Sequence, residues 1–488
     1  RLRSFRFEEK MKIVHVVHCF PPEPVGGTER VVASLVQGLS QRGHDLHVIA
    51  GSLDWEKGFR VEREIYKGIP VTRIHRDDPW FDRWDNGYHP GVERIYQDLL
   101  QELKPDLVHI HHWIRLTRNL AQLTQAAGIP SVVQLHDFHA TCPRTFRLTP
   151  DRAFCDKTAS LERCLQCVKR WPFQGDAEVS AHIDQYTRDM QNELRCAHGI
   201  FTLSEAQALF VASVLPTQTG GMRILPPGTP AELSARSPRT SSHTLRLIHW
   251  GNLFDLKGVM LLVEAVALAR EQVPIELKIL GRATQPEFKA KLEMRVQGLP
   301  ITLCGEYVWQ DLQACDADLA VFPSLCYETY SLVVDEALML GLPVIVSDLG
   351  APAERIGRGG IAVPTGDVRA LADQLIRLAR NREALANLAA GVRRCGTSRE
   401  EAAARAEKYY QGFLNGEGNS LPLERPVSIR ERLTLSWFTA GQRLLSLAGS
   451  DVSHPPMTGT TKTMKDYLKV EKAGPLTSRA SKPDSIRD

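Results

Sequence analysis

No run of about 18 consecutive apolar residues occurs in the 488-residue chain, so a membrane-spanning helix is not expected. The start, "RLRSFRFEEKMKIVHVVHCFPP", has neither the apolar core nor the small-residue cleavage site of a signal peptide, which predicts that the chain is not secreted. An excess of one charge is missing too. With 60 Lys and Arg against 57 Asp and Glu, the net charge is +3, too weak a field to recruit nucleic acid. Ten cysteines are too few for a disulfide scaffold. There is no repeat of solenoid period and no GxGxxG dinucleotide fingerprint. What is present is 43% hydrophobic and 24% charged residues, an ordinary globular composition. The length exceeds what one core fills, so two or three domains are expected.

The segment "KIVHVVHCF" reads as a buried strand, "PPEPVGG" as a turn, and "TERVVASLVQGLSQRG" as a helix. Val31, Val32, Leu35, Val36 and Leu39 lie at helical spacing, with Thr28 as N-cap and Gly43 as stop. "HDLHVIAG", "DLVHIHH", "SVVQLHD" and "GIFTLS" continue the strand pattern and make residues 11–220 one α/β domain, with a cysteine-rich insertion at 139–175. Residues 221–244 have the Pro, Gly, Ser and Thr content of a linker. A second alternation fills 245–397 through "LRLIHWGNL", "IELKILG", "ITLCGE", "DLAVFPS", "LPVIVSD" and "GIAVP", and a helix at 398–415 is expected to close this half. Residues 416–488 form an extension: one amphipathic helix, then a polar tail expected to be disordered. The fold class is α/β, with two Rossmann-like doubly wound domains facing a central cleft. Ligands are expected in the strand-to-helix loops at the carboxyl ends of the strands.

Three loops carry motifs there. Gly26 and Gly27 precede the first helix, where paired glycines let amides approach an anion or simply make a tight turn. Lys257 precedes Gly258 in the equivalent loop of the second half, and either meets a diphosphate or is a surface lysine. In "CYETYSLVVDEALMLGLPVIVSD", Glu328 lies in a loop over a strand end and Glu336 lies eight residues later on a helix entered near Ser331. The two are expected to face the cleft at different depths without touching. Acidic residues at a helix start are also stabilising in themselves, so spacing alone leaves the pair ambiguous.

"GGTE", "GNLFDLKG" and "PSLCYETYSLVVDEALMLGLPVIVSDLGAPAE" in this order, over residues 11–415, resemble family 4 of the retaining glycosyltransferases with the GT-B fold. The resemblance implies transfer of a sugar from a nucleotide-diphosphate sugar, UDP- or GDP-linked, to a sugar or lipid-linked acceptor, with no catalytic metal. It implies that Glu336 holds the ribose hydroxyls, that Glu328 contacts the transferred sugar, and that the turn through Tyr330, Ser331 and Leu332 offers amides to the diphosphate. Lys257 matches the lysine that neutralises the diphosphate. Asn252 stands where the family has an arginine, and Ser331 where it has a glycine. Gly26 and Gly27 match the glycine loop that closes over donor and acceptor. His136 matches a histidine lining the donor-sugar pocket; without the family it reads as a hydrogen-bonded strand-end histidine, and His111 is expected near it.

Cys142, Cys155, Cys164 and Cys167 form a C-x12-C-x8-C-x2-C pattern. Four thiols with one Cys-x2-Cys pair suit a structural zinc; an iron–sulfur cluster or four free thiols are the alternatives. Arg144, Arg147 and Arg152 in the same loop are candidates for an anionic acceptor. The expected setting is cytoplasmic, with peripheral contact at the inner face of the membrane, in surface polysaccharide or glycolipid biosynthesis. The helix bearing Leu433, Trp437, Leu444 and Leu447 either lies on the membrane or packs on a domain. A GT-B epimerase or phosphorylase competes as a reading, and Lys257–Gly258 with the two glutamates argues against both. A non-catalytic nucleotide-sugar-binding scaffold subunit is the third, favoured by Asn252.

Overall fold

A computed structural model describes residues 9–23, 26–78, 82–158, 160–215, 222–229, 242–393 and 396–417. Most of the expected linker, and the extension beyond residue 417 with its amphipathic helix, lie outside the described residues.

Two sheets organise the chain. The first contains β1 (Lys12–Val17), β2 (Asp45–Gly51), β3 (Arg60–Tyr66), β4 (Ile69–His75), β5 (Leu107–Ile110), β6 (Ser131–Leu135), β7 (Gly199–Thr202) and β8 (Met222–Ile224). Their order is β3-β4-β2-β1-β5-β6-β7-β8, parallel except where β3 runs antiparallel to β4. The second contains β9 (Leu245–Trp250), β10 (Ile275–Leu280), β11 (Ile301–Gly305), β12 (Leu319–Phe322), β13 (Val344–Ser347) and β14 (Gly360–Val363). It is ordered β11-β10-β9-β12-β13-β14, with each pair parallel. Central strands such as β5, β6, β9 and β13 are buried along their whole length. Helices cover both faces of a parallel sheet, so its strands read as continuous apolar runs.

The hairpin β3–β4 was not among the expected strands. Its outer strand alternates charged and apolar residues, with Ile65 77% exposed, so it lacks the buried-strand signature. The turn supplied the available signal: Lys67 and Gly68, at φ 48° and 82°, form the two-residue left-handed turn that joins adjacent antiparallel strands.

The first helix, Gly27–Gln41, begins one residue before the expected cap at Thr28. Gly26 is the N-cap, and the Glu29 carboxylate accepts from its amide at 2.8 Å. Gly43 follows the helix end at φ 91°, the left-handed stop expected of it.

Helix Arg399–Gly412 corrects the expectation that it closes the second half. It crosses back onto the first domain, where Ala403, Ala406, Tyr410 and Phe413 share a core with Val32, Val36 and Leu39. The Tyr410 hydroxyl reaches His109 Nδ1 at 2.7 Å. A methyl on Gly38 would stand 2.9 Å from Ala403 Cβ, so glycine against alanine lets the two helices touch. Chain adjacency favoured the nearer domain, but the small face of this helix fits the groove beside the first one.

Candidate functional site

A cleft of about 740 Å³ lies between the two sheets. It is lined from the first domain by Gly26, Gly27, Arg30, His136 and Asp137, and from the second by Asn252, Lys257, Glu328, Tyr330, Ser331 and Leu332. The residues come from loops after β1, β6, β9 and β12, the carboxyl ends of parallel strands, where a doubly wound sheet leaves room for ligands.

Glu328 and Glu336 occupy separate polar settings. Lys257 Nζ donates to Glu328 Oε1 at 2.6 Å, and the Ser324 hydroxyl donates to the same oxygen at 2.8 Å. Burial works against the Lys257 ammonium, yet the adjacent Glu328 carboxylate holds its pKa above the ordinary lysine value. Glu336 is 1% exposed. Its Oε2 accepts from Trp250 Nε1 at 2.7 Å and its Oε1 from Arg30 Nη2 at 2.9 Å. Arg30, whose guanidinium lies over the Trp309 ring at 5.1 Å, spans the cleft from the first domain. Neither Trp250 nor Arg30 was singled out from the sequence. Their signal was position alone: Arg30 follows "GGTE" and Trp250 ends the strand before "GNLFDLKG".

The residues on either side of Glu328 are tied to the opposite domain. Tyr327 donates its hydroxyl to the Ala206 carbonyl at 2.9 Å. The Thr329 hydroxyl donates to the His136 carbonyl at 2.7 Å, and Ser204 donates to the Thr329 carbonyl at 2.8 Å. Glu328 is thus placed by both halves at once, which chain spacing did not reveal.

Between the glutamates, helix Leu332–Met339 starts with Ser331 at φ 68° and ψ 84°. Left-handed backbone costs a non-glycine residue about 1–2 kcal/mol, and here it turns the chain so that the helix opens toward the cleft. Replacing Ser331 with glycine removes that strain but adds about 0.5–1 kcal/mol of unfolded-state entropy. Ser331→Gly is therefore expected to stabilise the protein by roughly 0.5–1 kcal/mol in urea unfolding, and a loss of stability would show that the serine side chain carries a contact. Tyr330 offers only backbone. Its ring is 6% exposed, lies under the Arg355 guanidinium at 3.8 Å, and its hydroxyl donates to Asp335.

His136 stands at the end of a buried histidine chain. His111 Nδ1 is 3.0 Å from His136 Nε2, and His111 Nε2 is 3.0 Å from His15 Nδ1. Burial pushes His136 down to about 3, so it is neutral at ordinary pH. Nearby, burial raises the Glu29 carboxyl, but the His18 imidazole at 2.9 Å and backbone amides outweigh it and hold the group down to about 2.

A methyl at Gly27 would meet nothing within 4 Å. Packing does not demand glycine there, which leaves the open face free for a ligand. Gly258 differs: at φ 69°, its added methyl would strike the Pro323 carbonyl at 1.8 Å. That glycine seats the Lys257 turn against the end of β12.

Cys142, Cys155, Cys164 and Cys167 line one cavity of about 250 Å³ outside the cleft. They do not meet within 4.8 Å, as ring nitrogens of His15, His109 and His111 do. Of the three arginines offered for an acceptor, Arg147 is buried among backbone carbonyls and Arg144 is bound to two of them. Arg152 pairs with Asp255 of the second domain at 2.9 Å. Among the described residues, no helix is long and apolar enough to cross a membrane.

Comparison with known proteins agrees with this architecture. Residues 25–232 match the family described as Glycosyltransferase Family 4, and residues 244–381 match Glycosyl transferases group 1. Glycogen synthase of Mycobacterium tuberculosis is 25% identical over 412 residues, covering 80% of this chain and 90% of its own. The MMP alpha-(1->4)-mannosyltransferase of Mycolicibacterium hassiacum is 29% identical over 360 residues, covering 69% and 80%. Among solved structures, the catalytic domain of starch synthase IV from Arabidopsis thaliana, bound to ADP and acarbose, aligns with a TM-score of 0.58 at 15% identity. That alignment covers 83% of this chain and all of that one. HepE of Anabaena in complex with UDP aligns with a TM-score of 0.53 at 17% identity, covering 83% and 98%. With both halves matched in order and the two sheets facing one cleft, this chain belongs to the group 1, family 4 glycosyltransferases of the GT-B fold.

Proposed function

We propose that this protein transfers a sugar from a nucleoside-diphosphate sugar, UDP- or GDP-linked, to a sugar or lipid-linked acceptor, with retention at the anomeric carbon. The carrying observation is the arrangement across the helix start: a Lys257–Glu328 pair on one side, the Trp250-bound Glu336 on the other, and the amides after Ser331 between them. In this reading Glu336 takes the ribose, the amides at Ser331 and Leu332 with Lys257 take the diphosphate, and Glu328 takes the transferred hexose. Gly26 and Gly27 close over the donor, and His136 lines the sugar pocket as a neutral group. Asn252 gives a hydrogen bond without charge.

As the C1–O bond to the diphosphate breaks, negative charge grows on the leaving oxygen. An ammonium and a helix start already aimed there stabilise that charge without reorganisation. The acceptor hydroxyl attacks C1 from the same face, and its proton passes to the departing phosphate. The setting is cytoplasmic, with the acceptor reached at the inner face of the membrane, in surface polysaccharide or glycolipid synthesis.

The test is a thermal-shift series with UDP-, GDP- and ADP-sugars, followed by product analysis with the donor that binds. A ligand held by the native state raises the melting temperature by mass action. The expected result is a clear shift with one base and slow donor hydrolysis. No shift with any nucleotide sugar would overturn the proposal, and a shift without turnover would identify a binding subunit instead.

A further inference from the structure

The cysteine-rich insertion is not needed for the donor chemistry, yet its four cysteines line one cavity. Cys142 follows the short turn His139–Thr141, Cys155 follows the isolated bridge between Leu148 and Phe154, and Cys164 and Cys167 flank the end of helix Leu161–Leu165. All four face one cavity and all four are free thiols. We propose that these cysteines bind one zinc ion as a closed, structural four-thiolate site that fixes the insertion against the Glu328 loop.

The backbone around the cysteines is already organised for this. Arg147 donates to the carbonyls of Thr141 at 3.0 Å, Cys155 at 2.9 Å, and Lys157. Arg144 donates to the Cys167 carbonyl at 2.9 Å.

Charge supplies an independent argument. The Arg147 guanidinium is 1% exposed, and its bonds go to carbonyls. Arg163 also lines the cavity and donates to the Thr158 carbonyl. Asp156 is one opposing charge close enough to act on Arg147, and a buried cation is costly unless its charge is balanced. Zinc with four thiolates carries a net charge of −2, which these guanidinium groups offset. Binding exchanges four thiol protons for one Zn²⁺, with no electron transfer. Four thiolates in a tetrahedron suit zinc, and zinc–sulfur bonds of about 2.3 Å would draw the ring of sulfurs inward.

The insertion touches the site through aromatic rings. Phe154, next to Cys155, stacks on Tyr327 with centroids 5.0 Å apart and planes at 25°. Tyr327 also packs edge-on against Phe138 at 5.3 Å. Tyr327 is the neighbour of Glu328, so order at the metal reaches the carboxylate through two stacked rings.

The experiment measures zinc by elemental mass spectrometry in the full chain, with no turnover involved, so its outcome is independent of the proposed donor chemistry. Expected are about one zinc per chain in the parent protein, its loss in Cys155→Ser/Cys164→Ser, and its retention in Cys304→Ser, an exposed cysteine outside the ring. Folding of the double variant need not be assumed, because the parent protein is also stripped with a chelator. Stripping is expected to lower the melting temperature by several degrees and open residues 142–167 to trypsin. Parent protein that carries no zinc after growth in zinc, or that carries iron in its place, overturns the assignment. So does zinc that survives the double substitution.

Discussion

Glu336→Gln is expected to raise the donor concentration at half-saturation about 100-fold while changing kcat less than about threefold. A carboxylate accepting from ribose hydroxyls contributes about 1.5–3 kcal/mol per charged hydrogen bond, and about 2.7 kcal/mol corresponds to 100-fold. Glutamine retains an oxygen for the Trp250 N–H, but its amide would face the Arg30 guanidinium, donor against donor. Glu328→Gln is expected to behave in the opposite way, lowering kcat by about 100- to 1,000-fold with donor half-saturation nearly unchanged. Its partner Lys257 then loses the charge that positions it, and stabilisation realised only in the transition state appears in kcat. Steady-state kinetics with varied donor, alongside melting temperatures, separate the two. Should both variants merely melt lower with kinetics altered alike, the glutamates are helix-start residues and the donor assignment fails.

Lowering the pH from 7 to 5 is expected to reduce the melting temperature steeply, before any ordinary carboxylate is protonated. Burial holds His15 and His136 down to about 3 and His249 down to about 4. Burial, with neighbouring histidines, also holds His109 and His111 well below the usual value. A histidine depressed in the folded state stays neutral there while the unfolded chain takes a proton below about pH 6.5. Stability is therefore complete above that pH and declines as pH falls, by up to about 1.4 kcal/mol per pH unit for each group. Three carboxyls oppose this, one of them Asp335, which burial also pushes above the ordinary value. Burial raises the other two, Asp189 to about 6 and Glu193 to about 7, so the folded state binds these protons first and gains stability over the same window. The histidines outnumber them, leaving a net loss of a few kcal/mol per pH unit, large against a total of about 5–15 kcal/mol. Thermal melts at constant ionic strength decide the matter. A flat or rising melting temperature between pH 7 and 5 would mean that these histidines are hydrated or protonated in the folded protein.

Much of the site was legible because its signals are local. A buried parallel strand announces itself by an unbroken apolar run, as in "VIVS" of β13. Glycine before a helix, a lysine before Gly258 and glutamates on each side of a helix start are read within a few residues. These motifs name Gly26, Gly27, Lys257 and Glu328 on the cleft wall, whereas Glu336, expected to face the cleft as well, is buried behind it. What they miss are partners from far along the chain: Arg30 on Glu336 is 306 positions away, and Tyr410 on His109 is 301. No periodicity encodes such pairs, because they depend on how two domains and a returning helix are set against each other.

The sequence by itself determined two doubly wound sheets, the loops that bear the glycines, Lys257 and the two glutamates, and the four-cysteine spacing. These follow from side-chain burial and backbone freedom over short stretches. Only the tertiary structure decided that helix Arg399–Gly412 packs on the first domain, that the loop around Glu328 is held from both halves, and that the cysteines line one cavity outside the cleft. Those outcomes come from surface fit and hydrogen-bond partners that meet only after the chain has closed on itself.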